Sequence, residues 1–165
     1  MPLIPVDPQL PFKTFNFVVQ ITVPGGSAPL CQGSFADCDG LEMTMEVKTI
    51  REGGDNARQI RLAGPVSYGQ LVLKRGMTAD RGLWRWFSSL LANPSLRASV
   101  QVVMLDYTVD EQGQRTQVEL NQFYLSNCIP VKMKAPALSA KDGLIAIEEL
   151  QVAYETLTLN PPQLA

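Results

Sequence analysis

Two pairs of adjacent carboxylates, Asp110 with Glu111 and Glu148 with Glu149, have the strongest claim to acid–base work in this chain. Paired-carboxylate catalysis needs both groups to converge on one bond, and neighbouring residues of a strand point to opposite faces. Both pairs therefore read as solvated surface. Histidine is absent, which removes the side chain that titrates nearest neutrality and leaves only carboxylate, lysine or tyrosine chemistry open. Cys31, Cys38 and Cys128 form an odd set without CxxC spacing, short of a disulfide framework or a zinc site. They read as buried, reduced thiols, with a redox role as the alternative. The pairs Gly25-Gly26 and Gly53-Gly54 fit neither GxGxxG nor GxxxxGK[ST], so they mark turns and not phosphate cradles. Trp84, Trp86 and Phe87 could stack on a sugar or a base, but their helical spacing favours core packing. The expectation is a protein with no catalytic, cofactor-binding or metal-binding residues.

The unusual stretch lies elsewhere. Ile50-Arg51-Glu52-Gly53-Gly54-Asp55-Asn56 opens a segment closed by Gly64-Pro65, and no hydrophobic period persists between about 50 and 66. Arg51, Glu52, Asp55, Arg58 and Arg61 alternate there with glycines. A structureless connection of that length is longer than compact domains ordinarily hold, so it is functional or disordered. The functional reading is a loop over 47–66 that reaches a neighbouring molecule, with Arg51, Glu52, Gly53, Gly54, Asp55, Arg58 and Arg61 as the interface residues; the plain alternative is a mobile surface loop. Arg and Glu supply charge pairs, and paired glycines permit a backbone path closed to other residues.

Composition bounds the rest. At 165 residues the chain makes one domain with a real core. A formal net charge of −2 provides no electrostatic footprint for nucleic acid or an anionic membrane. Charged residues reach only 18% against roughly 25% in an ordinary soluble domain, while hydrophobic residues reach 45%, so copies of the chain are expected to cover part of its surface. No run approaches the roughly 18 apolar residues of a membrane span, and residues 1–8 lack the basic and apolar regions of a signal peptide. Cytosolic synthesis is expected.

The elements that must position these residues are mostly strands. Residues 15–23 alternate with Phe15, Phe17, Val19, Ile21 and Val23 on one face. Residues 41–48 alternate more cleanly, which places Leu41, Met43, Met45 and Val47 inward and Glu42, Thr44, Glu46 and Lys48 outward. A strand over 67–75 ends at Gly76, and a helix follows, capped by Thr78 or Asp80, with Leu83, Trp86, Phe87, Leu90 and Leu91 on one stripe and Asn93-Pro94 as its stop. Further strands are expected over 97–107, 117–126, 129–133 and 144–157, with 108–116 as a polar hairpin connection. The Pro161-Pro162 tail from 158 argues against another strand.

In this order, Gly40-Leu41, Ile50-Arg51-Glu52-Gly53-Gly54, Leu62-Ala63-Gly64, Leu71-Val72-Leu73-Lys74-Arg75-Gly76, Leu83-Trp84-Arg85-Trp86, Ile129-Pro130-Val131-Lys132 and 135–140 before the strand at 145–150 resemble the tail tube proteins of contractile phage tails. They are similar also to the inner tube proteins of extracellular contractile injection systems. The resemblance spans about residues 10–157 and implies a mainly β fold, an antiparallel β-sandwich or barrel with one α-helix, related to the tube protein of type VI secretion. It implies further that six copies form a ring and that stacked rings make a hollow conduit driven by contraction of a surrounding sheath. Implied partners are copies of the chain itself, a sheath protein, baseplate or hub and tube-terminating proteins, and a cargo in the lumen; membrane anchoring and sequence-specific nucleic-acid binding are not implied.

The expected organisation is a single tail-tube domain over 1–165, with an N-terminal arm at 1–12, the loop at 47–66 and a C-terminal tail at 158–165. Ile50, where the family commonly has Tyr, the run Asn121-Gln122-Phe123 in place of a tryptophan-containing strand, and the long 108–116 connection would suit a related ring that starts the tube at a baseplate. A monomeric β-sandwich binding module is the rival from another class, and an enzyme would need a convergent polar pocket that the sequence does not display.

Overall fold

The computed structural model describes residues 16–26, 29–33, 35–51, 53–54, 59–109, 112–141 and 143–160. In chain order the elements are β1 (Phe17–Thr22), β2 (Cys31–Gly33), β3 (Asp37–Asp39), β4 (Met43–Ile50), β5 (Ile60–Tyr68), β6 (Gln70–Gly76), α1 (Gly82–Ala92), β7 (Ala98–Val109), β8 (Arg115–Lys134), β9 (Ile147–Ala153) and β10 (Thr156–Asn160). The fold is mainly β with one helix, as the sequence led one to expect. Its body is an antiparallel sheet in the order β2-β1-β7-β8-β9-β6-β3, with β10 on β8, curled into a half-barrel.

The curl comes from β8. Its residues up to Cys128 pair with β7, and Ile129–Lys134 pair with β9, while Gln122–Ser126 hold β10. At the handover Asn127 adopts φ 52°, a left-handed conformation that Asn tolerates better than most residues. The ladder also slips by one residue after Pro130, whose missing N–H suits an irregularity. The separate strands expected at 117–126 and 129–133 are thus one bent strand of 20 residues. Conversely, the single strand expected over 144–157 is two, broken at Tyr154 and Glu155 so that β10 can turn back onto β8. Thr158–Asn160 complete β10 despite the prolines that follow, and residues 161–165 lie outside the described ones.

The core lies on one face of the curled sheet. Val19 and Ile21 of β1, Val100 and Val102 of β7, Leu125 and Cys128 of β8, Leu71 and Leu73 of β6, and Leu150 and Val152 of β9 are buried there. Leu83 and Trp86 of α1 close it. The helix therefore plugs the sheet along one narrow stripe, and Leu91, expected on that stripe, is exposed. Asp80 assists the helix start from one residue further out than a cap, its Oδ1 accepting from the Gly82 N–H at 2.9 Å. Cys31 and Cys128 are buried and Cys38 is half-buried.

Residues 47–66 differ most from the sequence reading. They are mostly strand: β4 and β5 form a separate two-stranded sheet outside the body, paired from Met43↔Tyr68 to Ile50↔Ile60. The period was hidden by a register shift between Met45 and Val47, where β5 carries an extra residue. The inward placement of Met43, Met45 and Val47 also fails, because no second layer covers this sheet and every residue of β4 is exposed. Asp110 and Glu111, and the N-terminal arm at 1–12, lie outside the described residues.

Candidate inter-subunit surface

The β4–β5 arm is held rigidly at its base. The Tyr154 hydroxyl donates to the Gly40 carbonyl at 2.8 Å and accepts from the Glu42 N–H at 3.1 Å, and the Gly69 N–H donates to the Glu42 carbonyl at 3.2 Å. Burial pushes the Tyr154 phenol up from its ordinary pKa, so it stays a neutral donor. Its ring lies 5.7 Å from that of Tyr68, tilted at 56°, inside the favourable range for aromatic pairs. Gly40 has φ 86°, and a Cβ there would sit 1.9 Å from the Gln70 carbonyl oxygen. Both facts require glycine at the point where the chain leaves β3 for the arm.

Directly paired residues of an antiparallel ladder share a face. One face of the arm accordingly carries Met43, Met45 and Val47 with Val66, and the other carries Ile50 with Ile60, then Leu62. All seven are exposed large apolar side chains; Met45 keeps 52% of its surface in water. Glu42, Thr44, Glu46 and Lys48, read from sequence as the wet side of a layered sheet, are likewise exposed. A ribbon apolar on both faces is not built to rest on its own subunit, and a patch of this kind marks an interaction site.

The residues singled out by sequence occupy the far end of the arm. Arg51 is exposed just beyond β4, Gly53 and Gly54 form the turn, and Arg61 is exposed on β5 opposite Thr49. Glu52, Asp55 and Arg58 lie outside the described residues. Of the two, only Gly54, at φ 110°, has a backbone that demands glycine; among the described residues no atom lies within 4 Å of where a Cβ on either would be. The exposed apolar residues of the strands flanking this tip were not singled out by the sequence reading. The alternation of Met43, Met45 and Val47 was visible, but alternation alone does not say whether the covering layer belongs to the same chain.

Sequence reasoning also missed a buried ion pair. Glu148, read as solvated, is 2% exposed, and its carboxylate accepts from Arg75 Nε at 2.6 Å and from Trp84 Nε1 at 3.0 Å. Arg75 also donates to Asp80 Oδ2 at 3.4 Å, to the Asp80 carbonyl at 3.2 Å and to Cys31 Sγ at 3.2 Å, with the Phe35 ring 5.7 Å away. Burial opposes the guanidinium charge, yet Glu148 and Asp80 outweigh it and the pKa of Arg75 rises. Burial likewise raises the Cys31 thiol, which stays protonated beside it. These contacts join β6, β9, β2 and the start of α1, so the cluster fixes the helix on the sheet. Glu149, on the opposite face, lies 3.9 Å from Lys132. Among the described residues no three His, Cys, Asp or Glu side chains gather as a metal site would require, and no helix is long and apolar enough to cross a membrane.

The chain's relatives agree with a surface made for assembly. Residues 13–158 match the family described as T4-like virus tail tube protein gp19. The structure superposes with TM-score 0.76 on a chain of the anti-feeding prophage (AFP) baseplate, determined by six-fold symmetrised cryo-electron microscopy; identity is 27%, covering 94% of this chain and 99% of that one. It superposes with TM-score 0.72 and 18% identity on a chain of the sheath–tube complex of an extracellular contractile injection system, PVC, in the extended state, covering 93% of each. The same fold recurs at TM-score 0.50 and 13% identity in the Hcp1 protein of E. coli EAEC 042, covering 91% of this chain and 93% of that one. A sequence search of the curated proteins finds no match.

Proposed function

The chain belongs to the T4-like virus tail tube protein family, and from that premise we propose that six copies close into a ring whose stacking builds the inner conduit of a contractile tail or injection system. The observation that carries this reading is the β4–β5 arm, which projects from the body with apolar side chains uncovered on both faces. An 18.1 kDa monomer gains nothing from such an arm, whereas a polymer buries it at every repeat. The tip, with Arg51, Glu52, Gly53, Gly54, Asp55, Arg58 and Arg61, then reaches a neighbouring subunit or ring. Membership of a family of tail tube proteins supports a structural role for the fold.

The face of the sheet opposite the core supports a second part of the proposal. Over β1, β7, β8 and β10 its rows Gln20↔Gln101↔Tyr124↔Thr158 and Val18↔Val103↔Gln122↔Asn160 contain no formal charge, whereas over β3, β6, β9 and the end of β8 the same face carries the row Asp37↔Lys74↔Glu149↔Lys134. Helix α1 instead presents exposed Arg81 and Arg85. The uncharged half of that sheet face, over β1, β7, β8 and β10, is the proposed lumen wall, and α1, with exposed Arg85, is proposed to face the sheath. Sheath, baseplate and tube-terminating proteins are the proposed partners, and the lumen is open to a cargo. Synthesis in the cytoplasm precedes incorporation into the particle.

A ring at the baseplate that starts the tube is the second reading, favoured by the 27% identity to the baseplate chain. Sedimentation of purified protein across a concentration series separates the two. Rings of six 18.1 kDa chains that grow into open-ended polymers support a tube subunit, and a polymer that stops at one ring supports the starter. A monomer at all concentrations and salts refutes both.

A further inference from the structure

The arm is a long lever on a narrow base. Strand β4 runs eight residues from Met43 to Ile50, about 26 Å at the usual rise per residue. A tilt of about 10° at the base moves the tip by about 5 Å, more than the roughly 4 Å at which apolar side chains touch. An arm that joins every copy in the same way must therefore leave the body in one direction.

Little in the subunit fixes that direction. The arm is a sheet of its own and shares no ladder with the body, so only the chain at 40–42 and 69–70 connects the two covalently. Among the described residues one side chain of the body hydrogen-bonds to the base of the arm, Tyr154, which sits at the break between β9 and β10. Its hydroxyl lies 2.8 Å from the Gly40 carbonyl and 3.1 Å from both the N–H and the carbonyl of Glu42. The Glu42 carbonyl also accepts from the Gly69 N–H, so one hydroxyl holds the chain where it enters the arm and, through Glu42, where it leaves. Tyr154 is 6% exposed and belongs to the core cluster, so the body and not the arm places it.

The Tyr68 ring of β5 packs on Tyr154 as well, but apolar contact is non-directional and lets the two surfaces rotate on each other. A hydrogen bond weakens steeply as its angle closes, so the hydroxyl and not the ring sets the angle of the arm. We propose that the Tyr154 hydroxyl is a positioning group for assembly, which fixes the direction of the β4–β5 arm; without it the arm stays folded but swings. The inference rests on the polymer reading and adds a residue that acts from inside its own subunit. An arm held in place by folding need not be ordered each time a copy adds, and this preorganisation strengthens every contact the arm makes.

Tyr154→Phe keeps the ring on Tyr68 and deletes the hydroxyl. Nitroxide labels on Arg61→Cys near the arm tip and Ser88→Cys on α1, both exposed, report the direction of the arm by pulsed electron spin resonance on the unassembled full chain. A Cys38→Ser background leaves only the buried Cys31 and Cys128 beside them. One narrow distance distribution is expected with Tyr154 and one at least twice as broad with Tyr154→Phe. Without labels, sedimentable polymer of Tyr154→Phe should fall at least tenfold, while the melting temperature drops by no more than about 5 °C, the effect of one lost hydrogen bond. Placing para-aminophenylalanine at 154, whose N–H reaches the Gly40 carbonyl, should restore both readouts; para-fluorophenylalanine, which fills the space without donating, should not. A distribution as narrow as wild type in Tyr154→Phe, or a broad one in protein that polymerises normally, overturns the proposal and leaves the tube reading intact. If neither the phenylalanine nor the fluorophenylalanine variant folds, Tyr154 serves the fold alone, which overturns it too. Wild-type protein that never polymerises overturns the tube reading, and the assembly role of the hydroxyl with it.

Discussion

Truncating Met45 to alanine separates assembly from folding. Full burial of a Met side chain yields about 1.5–3 kcal/mol, and Met45 has 52% of its surface still in water in the isolated subunit. Covering that half by a neighbour therefore supplies about 0.8–1.6 kcal/mol per contact. In a six-fold ring the contact recurs six times, so Met45→Ala weakens the addition of a whole ring by about 5–10 kcal/mol, a shift in critical concentration of several orders of magnitude. The subunit loses almost nothing, since an exposed substitution ordinarily stays within about 0.5 kcal/mol. Sedimentation of the polymer and thermal melting of the unassembled chain read the two effects separately. Normal polymerisation together with a lowered melting temperature would show that Met45 packs on its own subunit, and the argument from the arm would fall.

Other perturbations address the rest of the structure. Glu148→Gln leaves Arg75 without its buried counter-charge and should cost about 3–5 kcal/mol of stability in denaturant titrations, whereas Arg75→Met with Glu148→Leu should recover most of it; an additive double variant would deny that the two act as a pair. Gly54→Val forces a β-branched residue to φ 110° and should hinder polymerisation more than Gly53→Val, while both keep β-rich circular dichroism; equal effects would place the requirement elsewhere than in backbone strain. Burial pushes the Cys128 thiol up to about 12 from its ordinary 9.0. The folded chain thus holds a proton that the unfolded chain releases above pH 9, so this stability is complete below pH 9 and is lost as pH rises towards 12. Denaturant midpoints should be flat from pH 7 to 8.5 and fall at pH 10, with Cys128→Ala removing part of the fall.

Much of the body was legible in the sequence because its segments carry the period of their own packing. Val19 and Ile21 alternate with polar residues, and Leu83 and Trp86 fall at helical spacing. The arm was legible only in part. Its first strand alternates, but the shifted register after Met45 erases the period of the second, and the residues that alternate are left exposed by their own subunit. Glu148 was misread for a related reason. A carboxylate beside Glu149 looks like surface until the fold places Arg75, near the end of β6, against it. The bent strand β8 was hidden at Asn127 and Cys128, where two strands were expected to part and the chain instead continues through a left-handed Asn127.

Electron micrographs of concentrated, purified protein test the central claim most directly. The account predicts hollow tubes of stacked rings whose end-on averages show six-fold symmetry, with the β4–β5 arm spanning from one copy to the next. Particles that remain single 18.1 kDa subunits, or that close as trimers or other non-hexameric forms, would contradict it.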